Sequence, residues 1–209
     1  MEILSIRKGF ASDHSSTSYE FLAVDKPLGN VEKAAISKLS SRVTPTARRA
    51  SFIYHSEFGD LPNGWKPLVE KYYDLMYGES YGTWTLVFAF PAAPSQIEEL
   101  EKYVFDDGES QVIEVHQAKG RATVVVYCYL EPDESLFKRD KLDNISCTGL
   151  FTLMMQIRKQ LINGDYRALY ALWEKYYPGD EGMPPKPKEL DSGLDVISNF
   201  SSVLADSEY

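Results

Sequence analysis

Several stretches in the first two thirds of this chain carry apolar residues at every second position. In "SYEFLAVD" (residues 18–25), Tyr19, Phe21 and Ala23 alternate with Glu20, Leu22 and Val24, so apolar groups stand on both sides. That pattern predicts a strand largely buried in a sheet. A second strand is expected at residues 50–55, where Phe52 and Tyr54 alternate with Ser51 and Ile53. "GTWTLVFAF" (residues 82–90) is β-branched and aromatic and reads as a central strand bounded by Pro91. "SQVIEVHQ" and "RATVVVYCYL" flank the short "AKG" and predict a hairpin.

Between the strands the period lengthens. Val31, Ala35 and Leu39, spaced by four, predict a short helix. Trp65, Leu68, Tyr72 and Leu75 or Met76 predict a second, with Gly78 as its stop and "YGESYGTW" as the turn into the central strand. Ser95, three residues before Glu98, has the spacing of a capping box opening a third helix. Beyond the polar "EPDESLFKRDKLDN" the pattern is wholly helical: Leu150, Leu153, Met154, Ile157 and Leu161 form one apolar stripe. Gly164 and Asp165 then make a corner, glycine filling a left-handed cap and aspartate accepting from the free N–H groups of the next helix. After it Tyr166, Leu169, Tyr170 and Trp173 share one helix side, read as core or as a partner-binding ridge. A Pro-rich link (residues 177–189) leads to a final helix at about residues 190–204.

The expectation is an α+β fold: a mainly antiparallel sheet with helices on one face, a C-terminal helical hairpin and a final helix. The 209 residues are expected to form a single domain, with a sheet-containing body to about residue 131 and a helical part from about residue 148. Net charge is −9, which disfavours general binding to a phosphate backbone. No apolar run reaches the roughly 18 residues a spanning helix needs, so no membrane partner is expected. The first residues lack the apolar core of a signal peptide, and Cys128 and Cys147 are too few for a disulfide framework. A reduced, cytoplasmic protein is expected.

The chemistry-bearing residues are sparse. Asp13, His14 and Ser15 are neighbours on the chain, whereas a hydrolase triad must converge through tertiary folding. His14, His55 and His116 are scattered, and the two cysteines lack finger spacing, so no metal site and no cofactor are expected. No Gly-rich phosphate loop is present. Glu79, Tyr81 and Trp84 stand at the end of the sheet and could line a pocket. Arg42, Arg48 and Arg49 make the compact basic patch.

Three blocks, "YEFLAVDKPL", "LSSRVTPT" and "GDYRALYALW", resemble those of a bacterial and archaeal family without assigned function, whose members read roughly "YYEFLAIDRPL", "LSSRA.ITPT" and "GDLRALYLGWL". A segment like the last also occurs near the end of some proteins with SWIM-type zinc fingers. The likeness spans Tyr19 to about Trp173. It departs where that family has an Asn-Trp-Gly segment and this chain has "YGESYGTW", and the chain carries no Cys/His finger. No catalytic residue follows from the resemblance. The leading expectation is a non-enzymatic accessory protein that docks a partner protein through aromatic surface, with Tyr166, Tyr170 and Trp173 as candidates. The alternatives are a small-molecule-binding domain or enzyme with its pocket near Glu79, Tyr81 and Trp84, and a nucleic-acid-associated protein using Arg42, Arg48 and Arg49.

Overall fold

The computed structural model describes residues 17–54, 61–80, 83–106, 111–129, 147–176, 182 and 184. Its centre is a seven-stranded sheet built from β1 (Thr17–Leu22), β2 (Arg49–Tyr54), β3 (Leu75–Ser80), β4 (Thr83–Pro91), β5 (Phe105–Asp106), β6 (Gln111–Ala118) and β7 (Arg121–Tyr129). The spatial order is β2-β1-β3-β4-β7-β6-β5, and every neighbouring pair is antiparallel. The helices are α1 (Asn30–Ser37), α2 (Lys66–Lys71), α3 (Pro94–Glu101), α4 (Cys147–Ile162) and α5 (Arg167–Tyr176). An α+β fold with a mainly antiparallel sheet and a helical hairpin is what the chain forms.

The near-continuous apolar run of β4 has a direct cause: both faces of the sheet are covered. Leu86, Phe88 and Phe90 point into one core with Ile97 and Leu100 of α3, Phe151 and Met154 of α4 and Leu169 of α5. Val87 and Ala89 point into a second core with Ile36 of α1 and Leu68 and Val69 of α2. Strands buried on both faces lose the polar–apolar alternation of a half-solvated sheet. The expectation of helices on one face is therefore corrected to helices on both.

A second correction concerns residues 75–80. Helical spacing extended the second helix to Gly78, but α2 ends at Lys71, and "LMYGES" is β3, inserted between β1 and β4. Backbone pairing on both sides, Phe21↔Met76 and Met76↔Val87 among the pairs, outweighs a spacing that helix and buried strand share. Gly78 belongs to the strand interior. A Cβ there would stand 2.9 Å from Cδ1 of Tyr19, whose ring lies across the glycine. Two further expectations shift. Val31 is 81 % exposed and Ile36 is the buried anchor of α1. Ser95 lies inside α3, whose N-cap is Ala93 and carries no side-chain cap.

The β6–β7 hairpin forms as expected, closed by Lys119 (φ 51°) and Gly120 (φ 75°), the paired positive φ of a type I′ turn. The helical corner also forms. Gly164 has φ 76°, and Asp165 Oδ1 accepts the Arg167 N–H at 3.2 Å. Gln96 of α3 donates its amide to the carbonyls of Leu161 and Ile162 at 2.8 and 3.1 Å, satisfying the open end of α4. The expected final helix lies outside the described residues, as do Asp13, His14, His55 and Tyr81. Among the described residues no helix is long and apolar enough to cross a membrane.

Candidate ligand-binding site

The aromatic stripe of α5 is core. Leu169, Tyr170 and Trp173 are 1–3 % exposed, the Trp173 ring meets Phe105 edge-on at 6.1 Å, and Tyr166 stacks obliquely on Tyr103 at 5.6 Å. Burial and the neighbouring hydroxyl of Tyr166 push the Tyr103 phenol up to about 12. Tyr170 and Trp173 are thus turned inward against the sheet, so of the two readings of this stripe the core one holds and the partner-binding ridge is corrected.

The arginines do not form one patch. Arg48 folds back to donate through one nitrogen to the carbonyls of Ala23 (2.9 Å) and Val24 (2.8 Å). Arg49, on β2, lies 5.6 Å above the Phe151 ring on the α4 side of the sheet. Arg42 is exposed in the loop after α1. Two of the three are engaged by the fold itself, so the expected basic patch is dispersed.

Charge is instead concentrated at the end of the sheet where β1 leaves and β7 begins. The Asp74 carboxylate accepts the N–H groups of Val24 (2.7 Å) and Asp25 (2.9 Å) on one oxygen and Arg121 (2.8 Å) on the other. Arg158 of α4, its side chain 5 % exposed, donates Nε to the Ala89 carbonyl at 2.8 Å and Nη2 to Asp25 at 2.5 Å, and stands 3.8 Å from Asp74. Two carboxylates face two guanidinium groups. Each buried charge is paired and hydrogen-bonded, the condition under which burial is tolerated. This network fastens α4 to β1, β3 and β4.

Toward the middle of β1 the arrangement is different. Ser18 and Glu20 share the face of Leu22, the face covered by α4, and are 8 % and 6 % exposed. Glu20 stands in register with Ser51 of β2 and Tyr77 of β3. Desolvation pushes its carboxyl up to about 7, against the opposing pull of a hydrogen bond from Ser51 and the nearby charge of Arg49. Arg49 acts on this carboxyl as a nearby charge, whereas Asp74 is clamped directly by Arg121. Further along the same strands, Ser18 pairs with Glu79, and Glu79 pairs with Trp84 across β3 and β4. Glu79 and Trp84 are strand residues in direct register, not loop residues, and with Ser18 they form one row across three strands. Glu20 was not among the residues the sequence singled out. Its signal was present: an acidic residue inside a strand whose neighbours are apolar on both sides.

A third group lies on the opposite face, where Glu114 and His116 of β6 meet Tyr127 of β7 and Lys66 of α2. Among the described residues no three His, Cys, Asp or Glu side chains are grouped to hold a metal ion.

No protein-family model and no curated protein matches this chain. Among solved structures it is similar to the ligand-free regulatory subunit of aspartate kinase from Thermus thermophilus, at 11 % identity and a TM-score of 0.23, over 55 % of this chain and 83 % of that one.

Proposed function

We propose that this chain is a ligand-binding domain whose ligand presents a positive charge or a hydrogen-bond donor to the Glu20 carboxyl. One observation carries the reading: β1 places Ser18 and Glu20 at buried positions beside core-forming Leu22, with Ser51 as the hydroxyl partner of the acid. Burying an ionisable group is unfavourable, and sequences break the burial rule mainly where function requires it. A strongly perturbed carboxyl is a site candidate on the same grounds. Glu79 and Trp84, in backbone register with Ser18 across β1, β3 and β4, stay in the reading as the expected pocket residues. The docking-ridge reading lacks this support because Tyr170 and Trp173 are core and Tyr166 is partly buried against it. A cytoplasmic setting with reduced thiols at Cys128 and Cys147 belongs to the same proposal.

A cationic ligand would draw the Glu20 carboxyl back toward its ordinary range, so binding releases a proton and tightens as pH rises from 6 to 8. The test is a thermal-shift panel of small amines, amidines and matched carboxylates on the wild type, Glu20→Gln and Ser51→Ala. Amine-type compounds should raise the wild-type Tm by several degrees at saturating concentration and leave Glu20→Gln unmoved. Equal shifts in both proteins, or none with any compound, would overturn the proposal.

A further inference from the structure

The side chains of Glu114 and His116, two residues apart on β6, emerge on one face of the sheet. Glu114 Oε2 is a hub there. It lies 2.8 Å from His116 Nε2, 3.3 Å from the Tyr127 hydroxyl and 3.8 Å from Lys66 Nζ. Lys66 Nζ is also 3.3 Å from the same His116 Nε2. One ring nitrogen cannot donate to a carboxylate and accept from an ammonium at once. We assign Nε2 as the N–H, because its shorter contact is the one to the Glu114 carboxylate. The ammonium then faces a donor, and the carboxylate it reaches among the described residues stands at 3.8 Å.

Donor against donor is relieved by an acceptor that reaches both. We propose that Lys66 and His116 form a site for a small oxyanion, of the phosphate or sulfate type, whose binding is coupled to proton uptake by His116. The site goes beyond the Glu20 reading and lies on the other face of the sheet. The charge count gives the coupling. Lys66 and Glu114 cancel, so a neutral His116 leaves no net charge, whereas a doubly protonated ring leaves +1 to meet the anion. Among the described residues, the titratable groups facing His116 are Glu114 on its own strand, Tyr127 from β7 through Glu114, and Lys66 from α2. Side-chain exposures of 51 % for Lys66 and 43 % for His116 leave both donors within reach of solvent. The Trp65 ring, 5.7 Å from Lys66 Nζ, borders the ammonium.

The test is sulfate titration of the intact chain at pH 6 and pH 8 by calorimetry and by the NMR signals of the His116 ring, with chloride at equal ionic strength as the control. Sulfate keeps its charge over this range, so any pH dependence belongs to the protein. Expected are sulfate binding at least fivefold tighter at pH 6, its loss in Lys66→Met, and weaker, pH-independent binding in His116→Gln. Glu20→Gln should leave all of this intact, which separates failure here from failure of the Glu20 reading. Three results would overturn the proposal: no sulfate response at either pH, an equal response to chloride, or a pH dependence that survives in His116→Gln.

Discussion

Replacing Arg158 by alanine should cost about 3–5 kcal/mol of folding stability, the range for breaking a buried ion pair by removing one partner. The structure accounts for that figure. Arg158 makes two strong hydrogen bonds, to the Ala89 carbonyl and to Asp25, and each bond involving a charged group contributes about 1.5–3 kcal/mol. Its 5 % exposed stem fills space that alanine leaves empty. The loss is held below the sum because Asp74 keeps Arg121 and two backbone donors, and Asp25, 47 % exposed, can turn to water. Arg158→Met restores the stem without the guanidinium and should recover about 1–2 kcal/mol of the loss through packing alone. The exposed pair Lys102–Glu99 provides the contrast: Lys102→Ala should cost less than about 1 kcal/mol. Urea unfolding followed by circular dichroism reads all three, with the slope checked for constancy so that midpoints report stability. An Arg158→Ala protein within about 1 kcal/mol of the wild type would refute the reasoning. The Asp25–Arg158–Asp74–Arg121 group would then not be a structural clamp.

Three further outcomes are expected. Glu20, with its folded-state value at about 7 against an ordinary 4.5, holds its proton more tightly when folded, so its contribution is complete below pH 4.5 and is lost as pH rises through 7. The displacement corresponds to about 3 kcal/mol, and Glu20→Gln should flatten that decline in urea midpoints measured from pH 5 to 8. Lys119 occupies a left-handed position in the β6–β7 turn, so Lys119→Asn should raise stability by about 0.5–1 kcal/mol while Gly120→Ala lowers it by about 1, read from the same midpoints. Trp173, 3 % exposed, should cost about 3–5 kcal/mol on truncation to alanine, and its loss should appear as unfolding rather than as an intact fold that no longer binds.

The parts of the fold legible in the sequence were those set by local chemistry. The β6–β7 hairpin follows from a short Gly-containing connection, and the α4–α5 corner from Gly164 and the carboxylate of Asp165. β3 was hidden because Leu68, Tyr72 and Met76 keep a four-residue spacing across the end of α2 into a strand, and pairing with β1 and β4 decides the matter only in three dimensions. The same limit applied to the sites. Tyr170 and Trp173 lie on a stripe whose core reading is favoured by its spacing, but the surface it packs on, here the sheet, is not in the local pattern. Arg48 and Arg49 are adjacent in sequence, yet one clamps backbone carbonyls after β1 and the other rests over Phe151. Lys66 and His116 are fifty residues apart and meet because α2 covers the face of the sheet on which the His116 side chain emerges. Glu20 and the Glu114–His116 spacing were both readable as period-two features, since each fixes a face. Their neighbours were not.

The direct measurement of the central claim is a carbon-13 NMR titration of the Glu20 carboxyl in the intact chain, assigned by comparison with Glu20→Gln. A midpoint near 7 is expected from its burial on β1. A midpoint near 4.5 would mean a hydrated carboxyl, and the proposed ligand site on β1 would fall with it.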